Sequence, residues 1–342
     1  MGSKIPAQIL ETELSNQIEK AEMILDKPPG KVRNIYRIDY CDDKLLMAVM
    51  PRLSSDDFVL PCIANIIDEV RNATSVFAFT QILKGLPNHL IAHGSQIDKY
   101  LPIDLRGNAK LQSVAMVVKK LTISDIEWIW RGWLAGSGER VYAKTGEICG
   151  IKLRPGLFPG AKLERPILTP TSKAQEGHDL HLTYQDVIAK YGKGYELLSG
   201  KAYQRLVDHC ANVEIIAADS KWEISTDLIL ADEISPDSCR FWYMEDWLKA
   251  IGNKQAPQGR DKQPVRDYAA TIKTPFTDSE GETIVGLGNL DLANLKHVAF
   301  VHGITVPTKV VRDTKARYLD FFNRFTGMPL KEFQRDAMGI NI

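Results

Sequence analysis

The 342-residue chain has no excess of charge of either sign: 43 Lys plus Arg stand against 43 Asp plus Glu. A dedicated nucleic-acid binder or a polybasic membrane module carries a clear basic surplus, so this balance argues against both. Long apolar runs are missing too, because the stretch at 45–50 ends at Pro51 and Arg52, far short of the ~20 residues that cross a bilayer. Cysteine is sparse. Cys41, Cys62, Cys149, Cys210 and Cys239 are odd in number, scattered and never spaced C-x-x-C, which suggests neither a disulfide framework nor a structural zinc site. The first 25 residues show no apolar core of a signal peptide, so a reducing cytoplasm is the expected compartment. The chain also lacks a G-x-x-x-x-G-K-[ST] loop, a G-x-S-x-G elbow and an H-E-x-x-H helix, and GLGNLD at 286–291 is missing the third glycine of a dinucleotide fingerprint.

What remains is an ordinary globular composition, 44% hydrophobic and 25% charged, long enough for two cores. Residues 1–121 read as a small, mostly β unit: a helix over 10–25, a hairpin over 31–50, a helix over 63–84, and strands at 90–91 and 113–121. Residues 122–342 read as an α+β unit. Its Gly- and Pro-rich stretch at 132–177 is too long for a structureless loop and points to unrecognised short elements. A helix over 184–210 breaks near Gly192 and Gly194, strands follow at 214–224 and 227–231, and a helix over 309–326 closes the chain.

The most informative segment is ADSKWEI at 218–224, followed closely by LILADE at 228–233. On a strand Asp219, Lys221 and Glu223 share one face. A turn at Ser225-Thr226 would place Asp219 opposite Asp232. Like charges so placed are costly unless a cation sits between them, and Mg²⁺ with one or two protein carboxylates is one solution; a solvated, salt-bridged hairpin face is the other. GKVRN at 30–34 lets the backbone approach a phosphate at Gly30 beside Lys31 and Arg33, or forms a basic edge strand. RGWLAGSG at 131–138 joins the planar fork of Arg131 to a turn rich in free N–H groups and the Ser137 hydroxyl, which suits carboxylates or phosphates. TPTSK at 169–173, EGHD at 176–179 and SPDSCR at 235–240 add polar groups. There His178 beside Asp179 reads as a general base or as a structural pair. Trp128, Trp130 and Trp133 read as core packing, and Asp56-Asp57 as a helix cap or a ligand contact.

Taken in order, GKVRN, RLSSDD, PNHLI, RGWLAGSG, CGIKLRPGL, PILTPTSKAQEGHD, ADSKWEI, DEISPDSCRFW and DKQPVRDY resemble the SAICAR synthetase (phosphoribosylaminoimidazole-succinocarboxamide synthase) family. The resemblance implies an α+β fold with an N-terminal nucleotide-cradling domain similar to protein kinases and ATP-grasp enzymes. It also implies ATP-dependent amide formation between carboxyaminoimidazole ribonucleotide (CAIR) and L-aspartate through an acyl phosphate. By the same resemblance Lys221, Asp219, Arg131 and Arg240 are catalytic, Lys31, Arg33 and Lys221 meet ATP, and Glu223 and Asp232 hold Mg²⁺. Arg131, Ser137, His178, Asp179, Arg240 and Asp57 would line the substrate pocket. The small-molecule substrates would be the only partners, on a monomer or homodimer, with neither nucleic acid nor membrane. The chain departs from the family pattern at Asn34 and Pro51, where Asp is usual, and at Asp56. Residues 273–305 stand as an insertion relative to the shorter members. Two rival readings are a ligase of the same fold with a different amine, and a non-catalytic nucleotide-binding paralogue.

Overall fold

The computed structural model describes residues 12–55, 58–173 and 182–342. Alternating apolar residues build a four-stranded antiparallel sheet in the order Arg33–Arg37, Lys44–Val49, Ala115–Lys119, Leu90–His93. Arg33 faces Val49 across the first pair, and Ala48 faces Ala115 across the second. Because successive side chains point to opposite faces, this sheet feeds two cores. Leu46, Ala48, Ala115 and Val117 pack with Leu14 and Ile18 of the helix Glu13–Lys20. Met47, Met116 and Val118 pack on the other side with Ile67, Val70 and Ala73 of the helix Ile67–Phe77.

That second helix starts later than the sequence suggests. The apolar run at 58–60 is buried as a strand, Phe58–Ile63, which pairs with Arg52–Ser55, and Pro61 would break a helix here. The helix begins behind Ile66, whose φ is +87°, without a side-chain cap; Asp56 and Asp57, expected as a cap or a ligand contact, lie outside the described residues.

A six-stranded antiparallel sheet forms the second half, in the order Lys162–Leu168, Ile126–Trp133, Ile215–Ile224, Leu230–Ala231. Thr171–Ser172 adds to Ile126–Trp133, and Cys239–Tyr243 adds to Ile215–Ile224. The Gly- and Pro-rich stretch does contain short elements: the helix Gly136–Thr145 and the small hairpin Glu147–Ile148 with Ile151–Lys152, besides the strand Lys162–Leu168. Gly192, at φ +84°, breaks the long helical region into Tyr184–Tyr191 and Lys193–Asn212. The segment 273–285 is a hairpin, Lys273–Thr277 with Thr283–Val285.

The helix Thr308–Thr326 ties the two halves together; it does not close the chain as expected, because the helix Leu330–Asp336 follows it. Its Tyr318 and Phe322 enter the core beneath the first sheet, and Phe321 and Phe325 enter the core behind the second. No helix among the described residues is long and apolar enough to cross a membrane.

Candidate active site

The two long strands of the second sheet sort its side chains into an aromatic face and a charged face. Their register sets Asp219 opposite Arg131, Lys221 opposite Ile129, and Trp222 opposite Trp128. Opposed residues share a face, so Glu127 and Arg131 lie on the same side as Asp219, Lys221 and Glu223. The other side is core. Trp128 stacks on Tyr195 with ring centroids 4.8 Å apart, and the Trp130 indole donates to Ser199 Oγ at 2.9 Å. Trp128 and Trp130 therefore serve as packing, and Trp133, which alternates to the Arg131 side, is buried in a separate cluster with Ile216, Ala218 and Trp242.

At one end of the charged face Arg131 is 3% exposed and has each of its nitrogens engaged. Nε donates to Thr169 Oγ1 at 2.9 Å, Nη1 to Asp219 Oδ2 at 2.8 Å, and Nη2 to Ser137 Oγ at 3.0 Å. Arg240 reaches the second oxygen of Asp219 at 3.6 Å, with its side chain 37% exposed. Glycine suits both positions: Gly136 sits at φ +59°, and a Cβ on Gly138 would meet Nε of the pinned Arg131 at 2.9 Å. The N-terminus of the helix Gly136–Thr145 thus opens beside two guanidinium groups, an arrangement that attracts anions.

Two residues further along the strand, Lys221 Nζ meets Glu127 Oε1 at 2.5 Å, and Thr171 Oγ1 donates to the other oxygen of Glu127. Burial lowers the Lys221 pKa, but Glu127, Glu223 and Asp232 outweigh it and hold the ammonium above its ordinary value. Glu223 in turn meets Lys173 at 2.6 Å. At the far end Arg33, from the first sheet, grips Asp232 with both Nη atoms and lies 3.4 Å from Glu233. Burial raises the Asp232 pKa, yet Arg33, Lys221 and Lys173 together keep it below the usual carboxylate value. Glu233 goes the other way: burial and the neighbouring Asp232 raise its pKa in spite of Arg33.

One expectation fails. The turn after Ile224 is wider than a two-residue hairpin, because Ser225 N–H bonds the carbonyl of Ile229 and Leu228 sits at φ +58°. Glu223 therefore faces Ala231, and the short strand ends before Asp232, whose own φ is +69°. Asp219 is not opposed to Asp232; it lies between Arg131 and Arg240, and Asp232 turns to Arg33. Arg33, Lys173, Lys221, Arg131 and Arg240 each have a carboxylate partner, so the site is an alternating line of charge.

Among the described residues no group of three or more His, Cys, Asp or Glu side chains gathers to hold a metal alone. A Mg²⁺ ion needs fewer, taking one or two carboxylates and completing its shell with phosphate and water. Glu223, which faces Ala231, and the adjacent Asp232 are the two carboxylates placed to meet that requirement, each held here by a cation, Lys173 and Arg33.

The SAICAR synthetase family model matches residues 27–282. A phosphoribosylaminoimidazole-succinocarboxamide synthase of Thermodesulfovibrio yellowstonii is 38% identical over 253 residues, covering 71% of this chain and 83% of that protein. The chain belongs to the SAICAR synthetase family. A synthase of Mycobacterium leprae is 32% identical over 314 residues, covering 89% of this chain and 94% of its own length. Among solved structures, a SAICAR synthase from Saccharomyces cerevisiae complexed with SAICAR superposes with a TM-score of 0.72 at 26% identity, covering 94% of this chain and 99% of that one. The fold is thus the SAICAR synthase-like α+β fold, and the activity is that of the family, a ligase of purine biosynthesis.

Of the residues singled out from the sequence, Arg131, Ser137, Asp219, Lys221, Glu223 and Arg240 line one face, and Arg33 and Asp232 close its end. Lys31 is exposed on the turn before Arg33. Asp57, His178 and Asp179 lie outside the described residues. Glu127 was missed, although its position two residues from Ile129 in an apolar strand carried the signal: a lone acid in a buried strand needs a cation.

Proposed function

We propose that this line of charge is where ATP, CAIR and L-aspartate are brought together. Residues 1–121 form the nucleotide-cradling unit, and residues 122–342 carry the metal hairpin and substrate loops. The observation that supports the reading is the continuity of the line: Arg240 and Arg131 share Asp219, Lys221 follows on the same strand face, and Arg33 with Asp232 closes it. One end offers donors to a ribotide phosphate or a carboxylate, and the other offers cations to polyphosphate.

In this reading Arg240, Ser137 and the N-terminus of the helix Gly136–Thr145 orient CAIR, with Arg131 fixing Ser137 and Asp219 fixing Arg240. Lys31 and Arg33 take the nucleotide phosphates. Lys221 stands between the two ends and stays charged because of Glu127, so it neutralises the oxygens of the phosphoryl group in transfer. A CAIR carboxylate oxygen attacks the γ-phosphorus and ADP leaves. The aspartate amine then attacks the acyl carbon, and phosphate departs, taking up the proton that the amine releases. Glu223 and Asp232 would hold Mg²⁺, which when bound neutralises phosphate charge. His178, Asp179 and Asp57 complete the substrate pocket. We infer a cytoplasmic enzyme acting on small molecules, a monomer or homodimer, with neither nucleic acid nor membrane as a partner. The test is ADP release with CAIR and a panel of amines; turnover with L-aspartate is expected, and turnover only with another amine would refute it.

A further inference from the structure

Every cation in the charged line has a carboxylate. Arg52 does not. It is 1% exposed, and its contacts are to neutral acceptors: Nη1 to the carbonyl of Gly30 at 2.9 Å and Nη2 to Asn34 Oδ1 at 2.5 Å. Among the described residues its Nε has no partner, and no carboxylate pairs with the guanidinium. Burial pushes its pKa down to about 10, with the neighbouring Arg71 adding to that effect against Tyr36, so the group is charged at neutral pH. A buried guanidinium without a counter-charge is expensive, and folds keep such groups where something else supplies the charge.

What Arg52 touches indicates the source. Gly30 accepts from Arg52, and its own N–H bonds the carbonyl of Arg33, closing the turn at 30–33. A Cβ at Gly30 would meet that carbonyl at 3.0 Å, so the turn is tight against itself. Asn34 follows directly on the strand that carries Arg33. Arg52 therefore clamps, from beneath, the turn that presents Lys31 and Arg33. Arg71, the other buried arginine here, donates to the Arg52 carbonyl at 3.0 Å but has Asp237 as its own partner at 2.7 Å.

We propose that Arg52 is a positioning residue of the nucleotide-phosphate subsite, and that its unmatched charge is balanced by the phosphates of the bound nucleotide. The neutral amide of Asn34 is what leaves that charge unmatched. The inference rests on the reading of Lys31 and Arg33 as phosphate contacts, and it makes the identity of residue 34 a control on nucleotide affinity.

The test is isothermal titration with Mg·ADP, together with ATP kinetics, on the wild-type protein and on Asn34→Asp, Arg52→Lys and Arg52→Met. Asn34→Asp supplies the missing counter-charge without changing shape. It is expected to raise the melting temperature while weakening ADP binding and raising KM for ATP by about tenfold, the order expected when one unit charge is cancelled ~10 Å from a polyphosphate at an effective dielectric near ~20. Its kcat and its KM for L-aspartate should stay within about twofold, since neither depends on that charge. Arg52→Lys should keep most of the ADP affinity, and Arg52→Met should lose it. A stabilised Asn34→Asp protein with unchanged ADP affinity would overturn the proposal, as would equal losses in Arg52→Lys and Arg52→Met. A wild-type protein that makes no SAICAR would refute the ligase reading, while the ADP titration would still decide the role of Arg52.

Discussion

Arg131 and Arg52 are both buried arginines on strands that end near the site, and they illustrate two uses of a buried charge. Arg131 has a carboxylate, two hydroxyls and a carbonyl around it, so its donors are consumed within the protein. It builds the corner, and under the proposed function recognition falls to the more exposed Arg240 and to Ser137. Arg52 has only an amide and a carbonyl, so its field remains available to an anion. The difference teaches that residue type and position within a motif do not by themselves assign a role; the partner does.

The largest effect should come from the cation that is matched yet still open to the site. Lys221→Met is expected to lower kcat by about 10³-fold in steady-state assays and, because it leaves the buried Glu127 without its cation, to lower the melting temperature as well. For Arg131 the stability loss should dominate. Arg131→Ala leaves Asp219 short of its closest cation and should cost about 3–5 kcal/mol in chemical denaturation. Arg240→Ala, at the same carboxylate, should cost no more than about 1 kcal/mol, because this partly exposed pair is screened, and should instead raise KM for CAIR. Equal losses of stability in these two variants would erase the distinction between building and recognition.

A third buried arginine extends the comparison to pH. Asp237 is held by Arg71, and Tyr318 donates to it at 2.8 Å. Burial raises its pKa, but Arg71, Lys262 and the Tyr318 hydroxyl bring it well below the usual carboxylate range. A folded-state pKa below the unfolded value of about 4 contributes stability that is present above that pH and is lost as the pH falls through the folded value. Denaturation from pH 6 down to pH 2 should show this loss, and Asp237→Asn should flatten the acid limb. The smallest effect is expected on the aromatic face: Trp130→Phe loses one hydrogen bond to Ser199, about 1 kcal/mol, with no change in kinetics.

The sequence showed the elements with strong periodicity well. The hairpin of the first sheet, the break at Gly192 and the C-terminal helix fall close to where their patterns place them. The hairpin at 52–63 was hidden because its apolar run resembles the start of the helix that follows. At the site, the shared face of Asp219, Lys221 and Glu223 was legible from strand periodicity, but the register beyond the turn was not. Ser225 caps a wider turn through its Oγ, which accepts from the N–H groups of Asp227 and Ile229, and nothing in the Ser-Thr pair itself gives its length. The pairing of Arg33 with Asp232 joins positions 199 residues apart, beyond the reach of any local pattern.

The most direct test of the account follows ADP release and SAICAR formation together in the wild-type protein and in Asp232→Asn, with Mg·ATP, CAIR and L-aspartate each omitted in turn. The account predicts that sustained release requires all three, with no more than about one turnover of ADP when L-aspartate alone is omitted, and that it falls by about 10³-fold in a variant that stays folded. Release that continues without CAIR or L-aspartate, or an Asp232→Asn protein as fast as wild type, would contradict it.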